Sequence, residues 1–482
     1  MLTELTRATG AAFVKTECTQ RSFEFHQVGR RRVTARFDGG DITSEGGALL
    51  LRQTEQRVRV LRRFAACFTD HRDPLRIEHS VEELVAQRVY GLALGYEDLV
   101  DHDDLRRDPL LAAMVGKRDL KGEKRRRRDR GFGLAGRHTL NRLELTREGA
   151  SSGDRYKKVE LDFDAVDRLL VEVFMRAHAS PPEEIILDLD ATNDPLHGHQ
   201  EGRFFHGYYD EYCYLPLYIF AGDHLLCARL RRSNIDPAKG SLDEVAGIVA
   251  ELREAWPGVQ IIVRGDSGFC RDEIMTWCEE NGLDYVLGLA RNRRLEGMLE
   301  KTMRKARILQ RATGEPTRLF KELNYRTRTS WSKRRRVVGK AEVLTKGTNP
   351  RFVVTSISKD EWDARSLYED LYCARGDMEN RIKEQQRFLF ADRTSTHWMR
   401  SNQIRLYFSS IAYLLVSALR RVGLTGTEMA RAQCDTIRTK LFKIGALVRI
   451  TARRVWVSLS SACPYSAIFA AAYDALGRAP PD

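Results

Sequence analysis

Three carboxylates in this chain stand where element ends could gather them: Asp190, Asp266 and Glu379. Asp190 ends the apolar run EIILDLD, Asp266 follows VQIIVR inside Arg-Gly-Asp-Ser-Gly-Phe, and Glu379 lies in YCARGDME, within a stretch of helical character. Oxygen donors of this kind suit a hard divalent cation such as Mg2+, which prefers near-octahedral geometry. If the first and fourth strands of a sheet are neighbours, Asp190 and Asp266 lie side by side, and a helix crossing that edge supplies the third carboxylate. Asp188 is the rival to Asp190, because residues two apart on a strand share a face. Asp190 is preferred, being nearer the strand's end.

The elements that must position these groups are legible as patterns. Residues 184–190, 214–220 and 225–231 read as strands, the last two joined by the hairpin-like AGDH. Ser241 reads as the cap of a helix running to Trp256, with Glu244 completing a capping box. A strand at 259–264, a helix at 272–281 and a strand at 285–289 follow. This order implies a mixed sheet with helices on its faces. A basic helical stretch, 295–309, leads to β-type runs at 317–325, 335–344 and 352–357, read as an insertion before a long helix at 362–388. The chain then reads as helices at 404–421 and 429–444, a short strand at 453–458, and a helix at 465–476. Helical patterns at 48–66, 80–92 and 110–115 fit either a helix-turn-helix-like module or a generic bundle.

Composition narrows the partner. Lys+Arg number 80 against Asp+Glu 67 in 482 residues, a net charge of +13, and the size suggests two or three domains. A basic chain collects polyanions. The densest run, KRDLKGEKRRRRDR at 117–130, holds Lys124, Arg125, Arg126, Arg127 and Arg128 and is read as a phosphate-tracking arm in preference to a plain solvated loop. The uncharged stretch 406–419 is too short to span a bilayer, and residues 1–10 contain no apolar leader segment. Nine cysteines without a CxxC suit reduced thiols in a cytoplasm. No phosphate-loop motif exists for nucleotide-driven work, and Asp-Ser-Gly at 266–268 lacks a partner His motif for a nucleophilic serine. His197, His199 and His206 lack further ligands at zinc spacing and read as a polar loop over a bound polyanion.

Taken together, LDLDATNDPLHGHQEGRFFHGYYD, RGDSGFCRDE and YCARGDMENRIKEQQ resemble the DDE transposases of bacterial insertion sequences, in the insertion-sequence family thirteen-eighty of the insertion-sequence four superfamily. Its signature Tyr-x2-Arg-x3-Glu-x6-Lys is met by Tyr372, Arg375 and Glu379; Gln386 stands where Lys is expected, with Lys383 one turn earlier. The likeness reaches from DGGDITSEGGALLLRQ to the C-terminal helices. It implies an α/β, RNase H-like core with a β-rich insertion and flanking helical regions, divided as 1–178, 179–310, 311–358, 359–392 and 393–482. The resemblance further implies cut-and-paste transposition, with Asp190, Asp266 and Glu379 holding two Mg2+ ions (or Mn2+ in their place). Double-stranded DNA, as terminal inverted repeats and target, is the expected partner, bound by a homodimer in a bacterial cytoplasm. Tyr372 and Arg375 are expected on DNA phosphates, with Lys333, Arg334, Arg335 and Arg336 adding charge. Trp331 is read either as a ring stacking on a flipped base or as a core Trp in a small sheet. The competing classes are a resolvase-type RNase H-like nuclease and a catalytically silent DNA-binding relative.

Overall fold

Helical spacing in the first third resolves into short segments whose ends have local causes. The computed structural model describes residues 21–478, so the reading of residues 1–10 lies outside the described residues. The single helix expected over 48–66 is two, α1 (Leu49–Val58) and α2 (Val60–Ala66), because Arg59 takes a left-handed conformation at φ 52° between them. Helix α3 (Val81–Ala93) opens with the capping box of Ser80 and Glu83, each side chain closing on the other's backbone N–H. Asp108 caps α4 (Pro109–Val115) through the N–H groups of Leu110 and Leu111. Helices α5 (Arg137–Glu144) and α6 (Phe163–Arg176) complete this region.

The middle third forms the sheet that its alternating runs require. Strand β1 (Glu184–Ala191) pairs antiparallel with β2 (Leu217–Ala221), and β2 with β3 (His224–Arg229). On its other side β1 takes β4 (Gln260–Gly265) in parallel, and β4 takes β5 (Asp284–Leu289) in parallel. The order β3-β2-β1-β4-β5 is that of an RNase H-like core. The strand expected over 214–220 is interrupted: Pro216, which has no N–H to give a ladder, separates β2 from a short strand at Glu211–Tyr214. Helix α7 (Ser241–Ala255) is capped by Gly240, not Ser241, whose hydroxyl donates back to the Ala238 carbonyl; Glu244 turns instead to Arg229. Helix α8 (Asp272–Glu280) joins β4 to β5.

After helix α9 (Arg293–Thr313), strands β6 (Thr317–Tyr325), β7 (Arg335–Leu344) and β8 (Arg351–Thr355) do not form a layer of their own. Strand β8 pairs with β5, so the insertion continues the central sheet to nine strands. The long helix expected at 362–388 begins at Ala364, passes through a π-helical turn (Leu367–Tyr372) and a tight turn (Cys373–Arg375), and continues as α10 (Gly376–Leu389). Helix α11 (Met399–Ala418) follows, and α12 (Ser466–Arg478) closes the described chain. The helix expected at 429–444 starts late, with helical geometry only over Cys434–Ile437 and Arg438–Phe442, and Val455–Leu459 pairs with an unforeseen strand, Ala446–Ile450.

The sheet is buried on both faces, as a strand with no polar alternation demands. In β2, Leu217, Ile219 and Ala221 enter one core with α7 and α8, while Tyr218 and Phe220 enter another with α1, α3 and α11. Helix α11 is the centre of that second core; among the described residues no helix is long and apolar enough to cross a membrane. Its Arg405 and Arg88 of α3 converge on Glu144 of α5, each at 2.8 Å. Burial opposes the Glu144 charge, but the two guanidinium groups hold its carboxyl below the ordinary range. Replacing Glu144 with Ala leaves two guanidinium groups without their anion, and should cost about 3–5 kcal/mol in denaturant unfolding. Because the folded-state pKa is depressed, the wild-type contribution is complete above the ordinary 4.5 and fades as pH falls below it.

Candidate active site

The parallel pairing of β1 and β4 decides where the acids go. Gly265 is opposite Leu189, so one step further along the ladder brings Asp266 beside Asp190 at the same sheet edge. Helix α10 crosses that edge and carries Glu379. The guanidinium of Arg375 joins the set, its Nη1 donating to Asp190 at 3.1 Å and its Nη2 to Glu379 at 2.7 Å. Burial, opposed by Arg375 and reinforced by the charges of Asp266 and Glu379, pushes the Asp190 carboxyl up to about 6. Asp190 and Glu379 together outweigh burial at Arg375 and raise its pKa.

Asp188, the rival to Asp190, has a different surrounding. It is 4% exposed and accepts a bidentate pair from Arg264 at 2.5 and 2.7 Å. Arg264 in turn donates from Nη1 to the carbonyl of Leu371, in the π-helical turn just before Tyr372. Asp188 and Arg264 therefore tie β1 and β4 to the segment that presents Tyr372, Arg375 and Glu379. π-Turns inside helices are frequent where a side chain must be re-aimed.

Two residues in the site escaped the sequence reading. Gly288 of β5 has no room for a side chain: a Cβ there would stand 2.6 Å from the Tyr372 hydroxyl and 3.0 Å from the Ser267 nitrogen. An isolated glycine inside the strand pattern YVLGL is the signal that could have found it. Tyr209, on the loop between β1 and β2, donates to the Ala191 carbonyl at 3.4 Å, and its phenol is raised to about 12 by burial and then by Asp190.

Other expected positions fare unequally. Gln386 faces inward, its amide donating to the Asn193 carbonyl at 3.0 Å, while Lys383 is exposed. Trp331 is 6% exposed, edge-on to Tyr325 at 5.6 Å in the core beside β7. It is the core Trp of the two readings, with no ring face free for a flipped base. Arg335 is buried between Asp272 (2.6 Å) and Glu279 (2.8 Å), Arg336 pairs with Glu322 at 2.6 Å, and Lys333 with Glu279 at 2.9 Å. Arg335 and Arg336 are held within the fold, Lys333 stays exposed beside Glu279, and Arg334 is exposed without an acidic partner. In the 117–130 arm, Arg125 turns inward to Glu78 and the Phe132 carbonyl, whereas Lys124, Arg126, Arg127 and Arg128 stay exposed. Among the described residues no three His, Cys, Asp or Glu side chains are closed into a metal-holding group; Arg375 lies between two of the three carboxylates. His197, His199 and His206 belong to no such group either.

A mixed sheet of this order, with acids at one edge and a helix-borne glutamate across it, defines a DDE-type polynucleotidyl transferase. Residues 25–481 match the family model described as transposase DDE domain group 1, and the chain belongs to that family of DNA transposases. Among solved structures the chain is similar to piggyBac transposase in a synaptic complex with hairpin DNA, at 11% identity and a TM-score of 0.39, over 82% of this chain and 79% of that one. No curated protein matches it.

The two neighbouring aspartates separate by test. Asp188→Asn should lower the melting temperature, since it leaves the buried Arg264 without its full anion. Asp190→Asn should change the melting temperature little, since Arg375 keeps Glu379 as its anion. Equal loss of stability in both variants would reverse the assignment of Asp188 to structure.

Proposed function

We propose that Asp190, Asp266 and Glu379 are the catalytic carboxylates of a cut-and-paste transposase and hold two Mg2+ ions, for which Mn2+ substitutes. The observation that carries this reading is the Arg375 guanidinium seated between Asp190 and Glu379 at the edge where β4 delivers Asp266. A cation already balances these acids, and an all-oxygen donor set fits hard divalent ions better than softer metals. Bound there, the ions supply an activated water or 3′-hydroxyl and stabilise the leaving oxygen.

The chain's own residues do the rest. Asp190 and Glu379 cannot keep Arg375 and turn the same oxygens to a metal. Arg375, once released, is free to take a DNA phosphate, with the Tyr372 phenol beside it. Lys383 adds an exposed cation on α10, while Gln386 braces the loop after β1. The Asp188–Arg264–Leu371 connection keeps the helix in register while Arg375 moves.

In this reading the chain is an insertion-sequence transposase of family thirteen-eighty, with Tyr372, Arg375 and Glu379 as its Tyr-Arg-Glu signature. It cuts at terminal inverted repeats and joins the freed 3′-hydroxyl to target DNA in the cytoplasm. Residues 1–178 bind the DNA ends, with Lys124 and Arg126 to Arg128 along the backbone, and residues 393–482 serve a homodimer that brings two ends together.

Incubation with a donor carrying candidate terminal repeats, a target plasmid and Mg2+ should give excision and insertion that vanish in Asp266→Asn. DNA binding without cleavage by the wild type would defeat the reading. Arg375→Gln should raise the affinity of the DNA-free protein for Mn2+, read by electron paramagnetic resonance, by at least about fivefold, because the ion no longer displaces a guanidinium. It should also lower excision. Unchanged Mn2+ affinity would remove Arg375 from metal loading.

A further inference from the structure

A second basic site lies away from the carboxylates. A cavity of about 400 Å3 opens in the N-terminal region, lined by arginines from separate segments. Arg76 comes from the turn before α3, Arg106 from the segment before α4, Arg126 and Arg128 from the basic arm, and Arg142 from α5. Glu78, Asp103 and Asp129 line it as well, but each is already matched: Glu78 by Arg125 at 2.8 Å, Asp129 by Arg128 at 3.0 Å, and Asp103 by Arg137 at 3.2 Å.

Arg126 reaches Glu78 as well, at 3.4 Å, which leaves Arg106 and Arg142 with no anion of their own inside the cavity. Arg106 lays its guanidinium over the Phe132 ring at 3.7 Å and uses only Nε, toward the Asp103 carbonyl at 3.2 Å. Arg142 meets only the Tyr156 ring, 5.9 Å away. Arg76 meets Asp73 at the rim, with its side chain largely in solvent.

His79 braces the wall between these arginines and the arm. It is 5% exposed and lines the cavity. Its Nε2 accepts from Arg125 Nη2 at 3.0 Å, so the ring proton is on Nδ1, and that buried donor has no acceptor. Burial, helped by Lys117, Arg125 and Arg72, pushes this imidazole down to about 3, so it stays a neutral donor. Guanidinium forks lining one cavity match the tetrahedral oxygens of a phosphate. A carboxylate offers only two oxygens in one plane.

We propose that this cavity binds a phosphate group of the DNA backbone, seated on Arg106 and Arg142. The proposal rests on the transposase reading for the source of the phosphate, and it makes the cavity a fixed anchor for the duplex, in addition to the exposed arm. Such a contact carries no base sequence but sets the register of the duplex on the protein.

The test uses the full chain and a random-sequence duplex, followed by fluorescence anisotropy over a range of salt concentrations. The Arg106→Gln/Arg142→Gln protein should lose about 0.9 from the slope of log K against log salt, the value for one phosphate. Arg142→Glu alone, at a half-exposed position, should weaken binding by about tenfold, which guards against a double variant that fails to fold. A wild-type slope and affinity in both arginine variants, with excision still dependent on Asp266, would overturn the cavity and leave the transposase reading standing. A wild type that binds no duplex at all would overturn that reading itself. Inorganic phosphate is the second arm: if millimolar phosphate raises the melting temperature of the wild type but not of the variants, while the duplex slope is unchanged, the site takes free phosphate and the DNA source is wrong.

Discussion

Four carboxylates, Asp188, Asp190, Asp266 and Glu379, crowd one edge of a sheet that is buried on both faces, and the site depends on how that charge is balanced. Water reaches Glu379, whose side chain is 46% exposed, but cannot balance the enclosed Asp188. Two arginines do it instead. Arg264 neutralises Asp188 with a bidentate pair and extends to the Leu371 carbonyl. Arg375 spans Asp190 and Glu379. The first is enclosed and links two strands to a helix; the second faces the open edge. Acids two residues apart on one strand thus receive opposite tasks from the depth at which they sit.

The remainder of the molecule holds these pieces in register by the same device on a larger scale. Helix α11 is almost wholly buried, and its ends are fixed by ion pairs instead of by apolar packing alone. Arg405 reaches Glu144 of α5, and Arg420 just beyond the helix reaches Glu384 of α10 at 2.9 Å. Glu384 is 0% exposed, and α10 is the helix that carries Glu379. The N-terminal helices, the sheet face and the C-terminal helices therefore share one core. Removing any one buried acid leaves an arginine unpaired, which is more costly than the pair is stabilising.

The sheet was legible in the sequence because its strands are continuous apolar runs with acids at their ends. EIILDLD and VQIIVR give both the strands and the edge at which Asp190 and Asp266 emerge, and the AGDH link gives the hairpin between β2 and β3. What could not be read were the places where a residue's partner is far along the chain. Glu244 has the spacing of a capping box but is drawn to Arg229, because a charged partner across the core outweighs a local N–H. Trp331 beside four basic residues has the look of an exposed binding face, yet Tyr325 and the side of β7 enclose it. Arg59 breaks a helix that its periodicity continues, and no local residue type announces that. Gly288 was readable as an odd glycine in a strand, but its reason, the approach of Tyr372, lies across the fold.

The basic character of the chain has the same lesson in its charges. A run of cations in sequence is not a basic surface: Arg335 and Arg336 close ion pairs within the sheet, and Arg125 of the arm turns toward Glu78 and a backbone carbonyl. A side chain this long has several partners within reach, and burial favours those that let it shed water in exchange for a full set of acceptors. Conversely, Arg106 and Arg142, outside the densest basic runs, line one cavity together through the packing of α5 against the segment before α4. Net charge of +13 therefore measures how much anion the chain can attract, while the fold decides which few guanidinium groups are left with none of their own.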